Sequence, residues 1–83
     1  MDLRYLRTFV TIAEAGGISR AGARLSVSQP AASRQILALE TELGIKLFDR
    51  IGRRLRLTSE GEDLLRQSRR LLIEAELLDA RAH

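Results

Sequence analysis

Arg34 is the residue of this 83-residue sequence whose type and position most directly suggest a recognition chemistry. An ideal-helix projection of residues 28–43 gathers the apolar side chains on one face, namely Ala32, Ile36, Leu39 and Leu43. The opposite face carries Pro30, Arg34 and Thr41, with Ser33 and Leu37 at its flank. An exposed guanidinium can donate two parallel hydrogen bonds to a planar pair of acceptors, such as guanine O6 and N7. The spacing alone therefore predicts that Arg34 points outward.

Residues suited to catalysis or metal binding are scarce. The sequence contains no cysteine and a single histidine, His83, so disulfides, cysteine-ligated zinc and histidine-based triads are excluded. An acidic cluster at residues 60–63 falls where a helix is predicted to begin, and acidic side chains are common there because they complement the helix dipole. No phosphate-binding loop is present. The sequence predicts neither an enzyme nor a cofactor.

The charge is distributed unevenly along the chain. Residues 1–56 carry ten basic and five acidic side chains, whereas residues 57–83 carry four basic and six acidic ones. A basic head of this kind favours a polyanionic partner. Only three aromatic residues are present, and single-stranded nucleic acids usually need aromatic stacking platforms. The composition therefore favours duplex DNA. The alternative is a protein-interaction module, but the excess of basic residues in the head argues against it.

Capping signals divide the basic head into short elements. A first helix is predicted from Leu3 to Ala15, ended by two glycines, and a second helix after Ser19 as its N-cap. A third helix is predicted from Ser28, its N-cap, to about Leu43. Two short helices joined by a tight turn are typical of a helix-turn-helix. Residues 47–57, with a glycine in the middle and alternating polarity at the end, predict a small two-stranded β wing.

A long fourth helix, capped by Thr58, is predicted over residues 59–81. Its apolar and small residues recur every seven positions, and at about 1.5 Å per residue it spans roughly 35 Å, more than the head is expected to cover. We therefore expect residues 58–83 to be a linker helix that forms a homodimer, apart from the head at residues 1–57. The predicted dimerisation residues are Leu64, Leu65, Ser68, Leu71, Leu72, Ala75 and Leu78. For Leu64 and Leu65, packing on the head is the favoured alternative.

Several separated motifs together resemble the N-terminal DNA-binding domain of LysR-type bacterial transcriptional regulators. They are Leu25-Ser26-Val27-Ser28-Gln29-Pro30-Ala31-Ala32-Ser33-Arg34-Gln35-Ile36, Leu39-Glu40, Leu43-Gly44, Leu47-Phe48-Asp49-Arg50 and Leu57-Thr58-Ser59-Glu60-Gly61. The resemblance covers nearly the whole chain. It implies a mainly α winged helix-turn-helix with three helices, a small wing and a long linker helix that pairs antiparallel with its twin.

The resemblance also implies a set of DNA contacts. Base edges in the major groove would be contacted by Gln29, Pro30, Ser33 and Arg34, and the minor groove or a phosphate by Arg53 in the wing. The residue types add predicted phosphate contacts at Arg20, Arg24, Ser28, Arg50 and Arg54. Ser28 is primarily a cap, and the alternative for the wing arginines is pairing with nearby acidic residues. The expected partner is double-stranded promoter DNA with an interrupted inverted repeat.

Three positions depart from the family pattern: Gly22 replaces alanine, Leu37 lies where relatives are often basic, and Ala32 replaces a larger aliphatic residue. The family's effector domain, which would bind a small-molecule inducer, is expected to be missing from these residues. No signal peptide or membrane-spanning stretch is seen, so the expected location is the bacterial cytoplasm, on the nucleoid.

Overall fold

The computed structural model describes residues 1–52 and 54–82. It contains four α-helices and a two-stranded hairpin in the following order: α1 (Leu3–Ala15), α2 (Ile18–Ala21), a 3₁₀ turn (Gly22–Arg24), α3 (Gln29–Leu43), β1 (Phe48–Ile51), β2 (Arg54–Leu57) and α4 (Ser59–Ala82). The strands are antiparallel, and their register runs from Phe48 opposite Leu57 to Ile51 opposite Arg54. The predicted fold class, a mainly α winged helix-turn-helix followed by a long helix, is confirmed.

The bounds of α1 follow from the signals at its two ends. The carboxylate of Asp2 accepts a hydrogen bond from the Arg4 backbone N–H at 2.9 Å and further bonds from the Arg4 guanidinium. These hydrogen bonds lower the pKa of Asp2. At the other end Gly16 takes a left-handed conformation, with φ of 86°, and its N–H donates to the Ile12 carbonyl. Between them, Leu6, Phe9 and Ile12 are almost completely buried and form the centre of the core.

The second helix differs from its prediction. It begins at Ile18 rather than after Ser19, with Gly17 as N-cap, and it ends after one turn at Ala21. The hydrogen bond from the Ala21 N–H to the Gly17 carbonyl, at 3.0 Å, already closes that turn. Ser19 is therefore inside the helix and exposed, so its assignment as N-cap is wrong. The chain then tightens into the 3₁₀ turn before it reaches α3.

The predicted bounds of α3 are confirmed. The Ser28 hydroxyl accepts a hydrogen bond from the Ala31 N–H at 3.2 Å, and the helix ends at Gly44. Its buried residues are Ala32, Ile36 and Leu39. The wing is attached to the same core, because the Phe48 ring packs edge-on against Phe9 with the ring centroids 5.6 Å apart.

The start of α4 is held against the root of the wing, which is Leu47, the residue directly before β1. The Thr58 hydroxyl accepts a hydrogen bond from the Gly61 N–H at 2.9 Å, and the Thr58 N–H donates to the Leu47 carbonyl at 3.0 Å. Gly61 is buried there, and a Cβ built on it would lie 2.2 Å from the Leu47 carbonyl oxygen. Gly61, one of the small residues of the seven-residue repeat along α4, therefore serves close packing within one chain.

The head covers more of α4 than was predicted. Leu65, Ser68 and Leu72 are buried within the chain's own core, where α4 packs on α1. Two ion pairs join the same helices, Arg69 with Glu14 at 3.0 Å and Arg7 with Glu76 at 3.4 Å. These three predicted dimerisation residues are thus buried without a second copy of the chain. The expectation that the head is too short to cover the helix as far as Leu72 is corrected.

Four large apolar residues of α4 nevertheless stay exposed, and they fall on two sides of the helix. Leu71 and Leu78, the latter 70% exposed, lie one above the other on one side, and Ile73 and Leu77 lie on another. Of the other predicted dimerisation residues, Leu64 and Ala75 are half-buried. Ile73 and Leu77 were not predicted. No helix among the described residues has the length and apolar character needed to cross a lipid bilayer.

Candidate nucleic-acid interface

One face of α3 presents a stripe of side chains away from the core. Pro30, Ser33, Arg34 and Leu37 are spaced i, i+3, i+4 and i+7, so they lie along one side of the helix. Pro30, Arg34 and Leu37 are exposed and Ser33 is half-buried. Gln29, at the first position of the helix, is also exposed. The structure thus places the four residues predicted to contact bases on the accessible N-terminal half of α3.

A partly buried hydrogen bond between α1 and α3 helps to orient this stripe. The Thr8 hydroxyl on α1 donates to Gln35 Oε1 at 2.6 Å, and Thr8 is only 5% exposed. Gln35 follows Arg34 directly, so the bond helps to set the rotation of α3 about its own axis. This contact was missed in the sequence. The available signal was the position of Thr8 among Tyr5, Phe9 and Ile12, at the spacing of a buried helix face.

A cleft between the α1–α2 turn and the wing brings three of the predicted phosphate contacts together. The cleft has a volume of about 510 Å³ and is lined by Arg20, Arg50 and Arg54, together with residues 16–19 and Leu55. All three arginines are exposed. Arg24 and Ser28 are exposed as well but lie outside this cleft, and the Ser28 hydroxyl is occupied as a cap. Arg53, the predicted wing contact, falls outside the described residues.

A second groove, of about 270 Å³, runs between α3 and the wing. Its apolar lining includes Ile36, Phe48 and Leu55, and three charged residues border it, the cations Lys46 and Arg50 and the carboxylate of Glu40. Leu37 and Ser33 of the α3 stripe lie along the same groove. Lys46 was missed as a candidate, because its place beside α3 depends on how the wing folds back.

Ion pairing divides the basic residues into two groups. Every side-chain ion pair found among the described residues uses an arginine of α1 or α4, namely Arg4, Arg7, Arg66 or Arg69. The other group has no carboxylate within 4.0 Å in the described part of the chain, and it comprises Arg20, Arg24, Arg34, Lys46, Arg50, Arg54, Arg56, Arg70 and Arg81. Arg70 and Arg81 lie on α4, but the other seven lie on α2, the 3₁₀ turn, α3, the wing and the loop before it, so most of the unpaired positive charge lies in the head that carries the α3 stripe. The alternative that Arg50 and Arg54 pair with nearby acids is not seen.

The chain matches a family model described as bacterial regulatory helix-turn-helix protein, lysR family, over residues 3–62. It is 50% identical over 72 residues to an uncharacterised HTH-type transcriptional regulator of Azotobacter vinelandii, which covers 87% of this chain and 50% of that protein. It is 45% identical over 82 residues to the HTH-type transcriptional regulator ClcR of Pseudomonas putida, covering 99% of this chain and 28% of ClcR. The chain thus spans half or less of these relatives.

Two solved structures are similar along almost the whole chain. CbnR, a LysR family transcriptional regulator, has a TM-score of 0.92 at 41% identity, covering 99% of this chain and 28% of CbnR. The DNA-binding domain of CbnR in complex with DNA has a TM-score of 0.90 at 41% identity, covering 99% of this chain and 94% of that one. Both ClcR and CbnR are described as transcriptional regulators. Within residues 1–52 and 54–82, no cluster of His, Cys, Asp and Glu side chains is arranged to hold a metal ion.

Proposed function

The chain belongs to the lysR family of bacterial regulatory helix-turn-helix proteins, and we propose that it binds double-stranded DNA sequence-specifically, as a homodimer, to regulate transcription. The observation that carries this proposal is the group of unpaired basic residues that surrounds the exposed stripe of α3. It acts by binding, not by catalysis, and its place of action is the nucleoid in the bacterial cytoplasm. The related CbnR domain in complex with DNA supports the choice of partner.

In this proposal α3 enters the major groove. Arg34 reads guanine through two hydrogen bonds, and Gln29 reads adenine through its amide. Pro30 offers an apolar surface to a thymine methyl group, and Ser33 hydrogen-bonds a base edge. All four residues lie within the first turn and a half of the helix, and recognition helices contact bases with their N-terminal residues.

Phosphate contacts fix the register of α3 on the duplex. Arg20, Arg50 and Arg54 line one cleft, so a DNA strand passing over it would meet all three guanidinium groups. Arg24 and Ser28 supply further contacts on the side of the helix-turn-helix. For Arg53 we propose a contact in the minor groove or with a phosphate, on the strength of the resemblance.

The proposed dimer is formed by α4. The head covers Leu65, Ser68 and Leu72, but Leu71 and Leu78 stay exposed together with Ile73 and Leu77. A second copy of the helix packed on the side that carries Leu71 and Leu78 would remove these two residues from water. We propose that residues 1–57 form the DNA-binding head and residues 58–83 the linker helix. A two-fold dimer presents two copies of α3 to two half-sites, so its target is an interrupted inverted repeat.

The proposal is tested by selecting bound sites from a random pool of duplex DNA and measuring the stoichiometry of the complex. We expect an inverted repeat to be enriched and two chains to bind per duplex. A poly-acidic peptide serves as the control polyanion and should compete poorly. A chain that stayed monomeric and bound the duplex no better than the acidic peptide would contradict the proposal and favour a protein-interaction module.

Arg54→Ala is expected to make the affinity for DNA less dependent on salt. Each neutralised phosphate contributes about 0.9 to the slope of log K against log salt, so losing one contact should reduce the slope by about 1. The measurement is a binding titration at several salt concentrations. Arg70→Ala is the matched control, because Arg70 is an exposed arginine of α4, away from the cleft. Equal slopes for both variants and the parent chain would argue that Arg54 does not touch a phosphate.

A further inference from the structure

Leu37 occupies an unusual place for a leucine. Its side chain is 60% exposed, and it is the one large hydrophobic residue of α3 that the structure leaves exposed. The other large exposed hydrophobics lie at the N-terminus, at Ile51 in the wing and on α4. Neither the core nor the proposed dimer helix accounts for Leu37, so its exposure calls for a different explanation.

The position of Leu37 in the α3 stripe supplies that explanation. It lies seven residues after Pro30 and three after Arg34, on the same side of the helix as both. At about 1.5 Å per residue, it is roughly 4.5 Å along the axis from Arg34, close to the 3.4 Å rise of one base step. A helix that brings Arg34 to one base pair therefore brings Leu37 to about the next one.

The chemistry of base edges then selects one partner. In the major groove guanine, cytosine and adenine present only hydrogen-bonding groups, whereas thymine adds a C5-methyl group. Leucine has no donor or acceptor, so covering a polar edge would leave that edge without its water. We propose that Leu37 is a specificity-determining residue that contacts the C5-methyl group of a thymine in each half-site. This inference rests on the DNA binding proposed above.

The surroundings of Leu37 favour DNA over a protein as its partner. The groove beside it is bordered by Lys46 and Arg50, and Arg34 lies one turn away. None of these three cations has a carboxylate within 4.0 Å among the described residues. Glu40 also lines the groove, but its carboxylate already accepts a hydrogen bond from the Leu47 N–H at 2.8 Å. An apolar side chain with unpaired cations nearby suits a partner that combines negative charge with an apolar group, and a thymine in duplex DNA is such a partner.

The test uses the duplex selected from the random pool and replaces its thymines by deoxyuridine, one at a time. Deoxyuridine lacks only the C5-methyl group. For the parent chain we expect one replacement in each half-site to weaken binding by roughly fourfold, the equivalent of about 0.8 kcal/mol for one buried carbon. Leu37→Ala should be insensitive to that replacement, whereas Leu37→Met, which keeps an apolar side chain of similar size, should remain sensitive. Both variants should keep the parent's melting temperature.

Two failures of this experiment are distinguishable. If the parent chain selects an inverted repeat but Leu37→Ala keeps the same sensitivity to every replacement, or no thymine is selected next to the Arg34 contact, the assignment of Leu37 is overturned and the proposed function stands. If the parent chain selects no sequence at all, the proposed function fails, and the assignment of Leu37 fails with it.

Discussion

Arg34→Ala is expected to weaken binding to the selected duplex by roughly 5- to 160-fold, which corresponds to the 1–3 kcal/mol that a bidentate base contact contributes to discrimination. The loss should be much smaller on random duplex, because most non-specific affinity comes from phosphate contacts. Arg34 is exposed and has no ion pair among the described residues, so its removal should not affect folding. The measurement is a pair of titrations, one with the selected site and one with random duplex.

Arg34→Lys is the matched control, because lysine keeps the positive charge but lacks the planar pair of donors. If Arg34 reads a base, the lysine variant should lose base preference almost as fully as the alanine variant while retaining more non-specific affinity. Gln29→Ala is expected to relax preference at a different base pair. Unchanged sequence preference in both Arg34→Ala and Gln29→Ala would show that α3 does not read bases through these side chains.

Local signals in the sequence predicted most of the fold. Gly16 and Ser28 act on their own helix ends, within a few residues, so the end of α1 and the start of α3 could be predicted without knowledge of the tertiary structure. The start of α2 was predicted wrongly because the helix is a single turn: Ser19 is a good N-cap by residue type, but the structure uses Gly17 as the N-cap. The outward direction of Arg34 was likewise predictable, since it depends only on the spacing within one helix.

Contacts between parts of the chain that are distant in the sequence were not predictable from such local signals. A repeat of apolar residues along α4 indicates that one side is buried, but it does not say against what. The structure packs Leu65 and Leu72 on the chain's own α1 and leaves Leu78 exposed. The cleft formed by Arg20 and Arg54 also joins residues distant in the sequence, so only the folded wing brings them together.

Gly61→Ala is expected to destabilise the chain by about 2 kcal/mol or more. The added methyl group would lie 2.2 Å from the Leu47 carbonyl oxygen and 3.0 Å from Leu57 Cδ2, so α4 would have to move away from the root of the wing. Overpacking of this kind typically costs about 1–3 kcal/mol, occasionally more, and the better helix propensity of alanine offsets about 1 kcal/mol. Because the obstacle is a backbone oxygen rather than a flexible side chain, we expect the upper part of that range. The melting temperature should fall by roughly 10 °C.

Ser68→Ala provides the control, because it also introduces alanine at a buried position of the same helix. The Ser68 hydroxyl has no hydrogen-bond partner among the described residues, so its removal should be neutral or slightly stabilising. Gly61→Ala should in addition weaken DNA binding of the folded fraction, since Leu47 directly precedes β1 and a shift there would move Arg50 and Arg54. If Gly61→Ala melted at the temperature of the parent chain, the close approach of α4 to the Leu47 carbonyl would not be what sets the position of the wing.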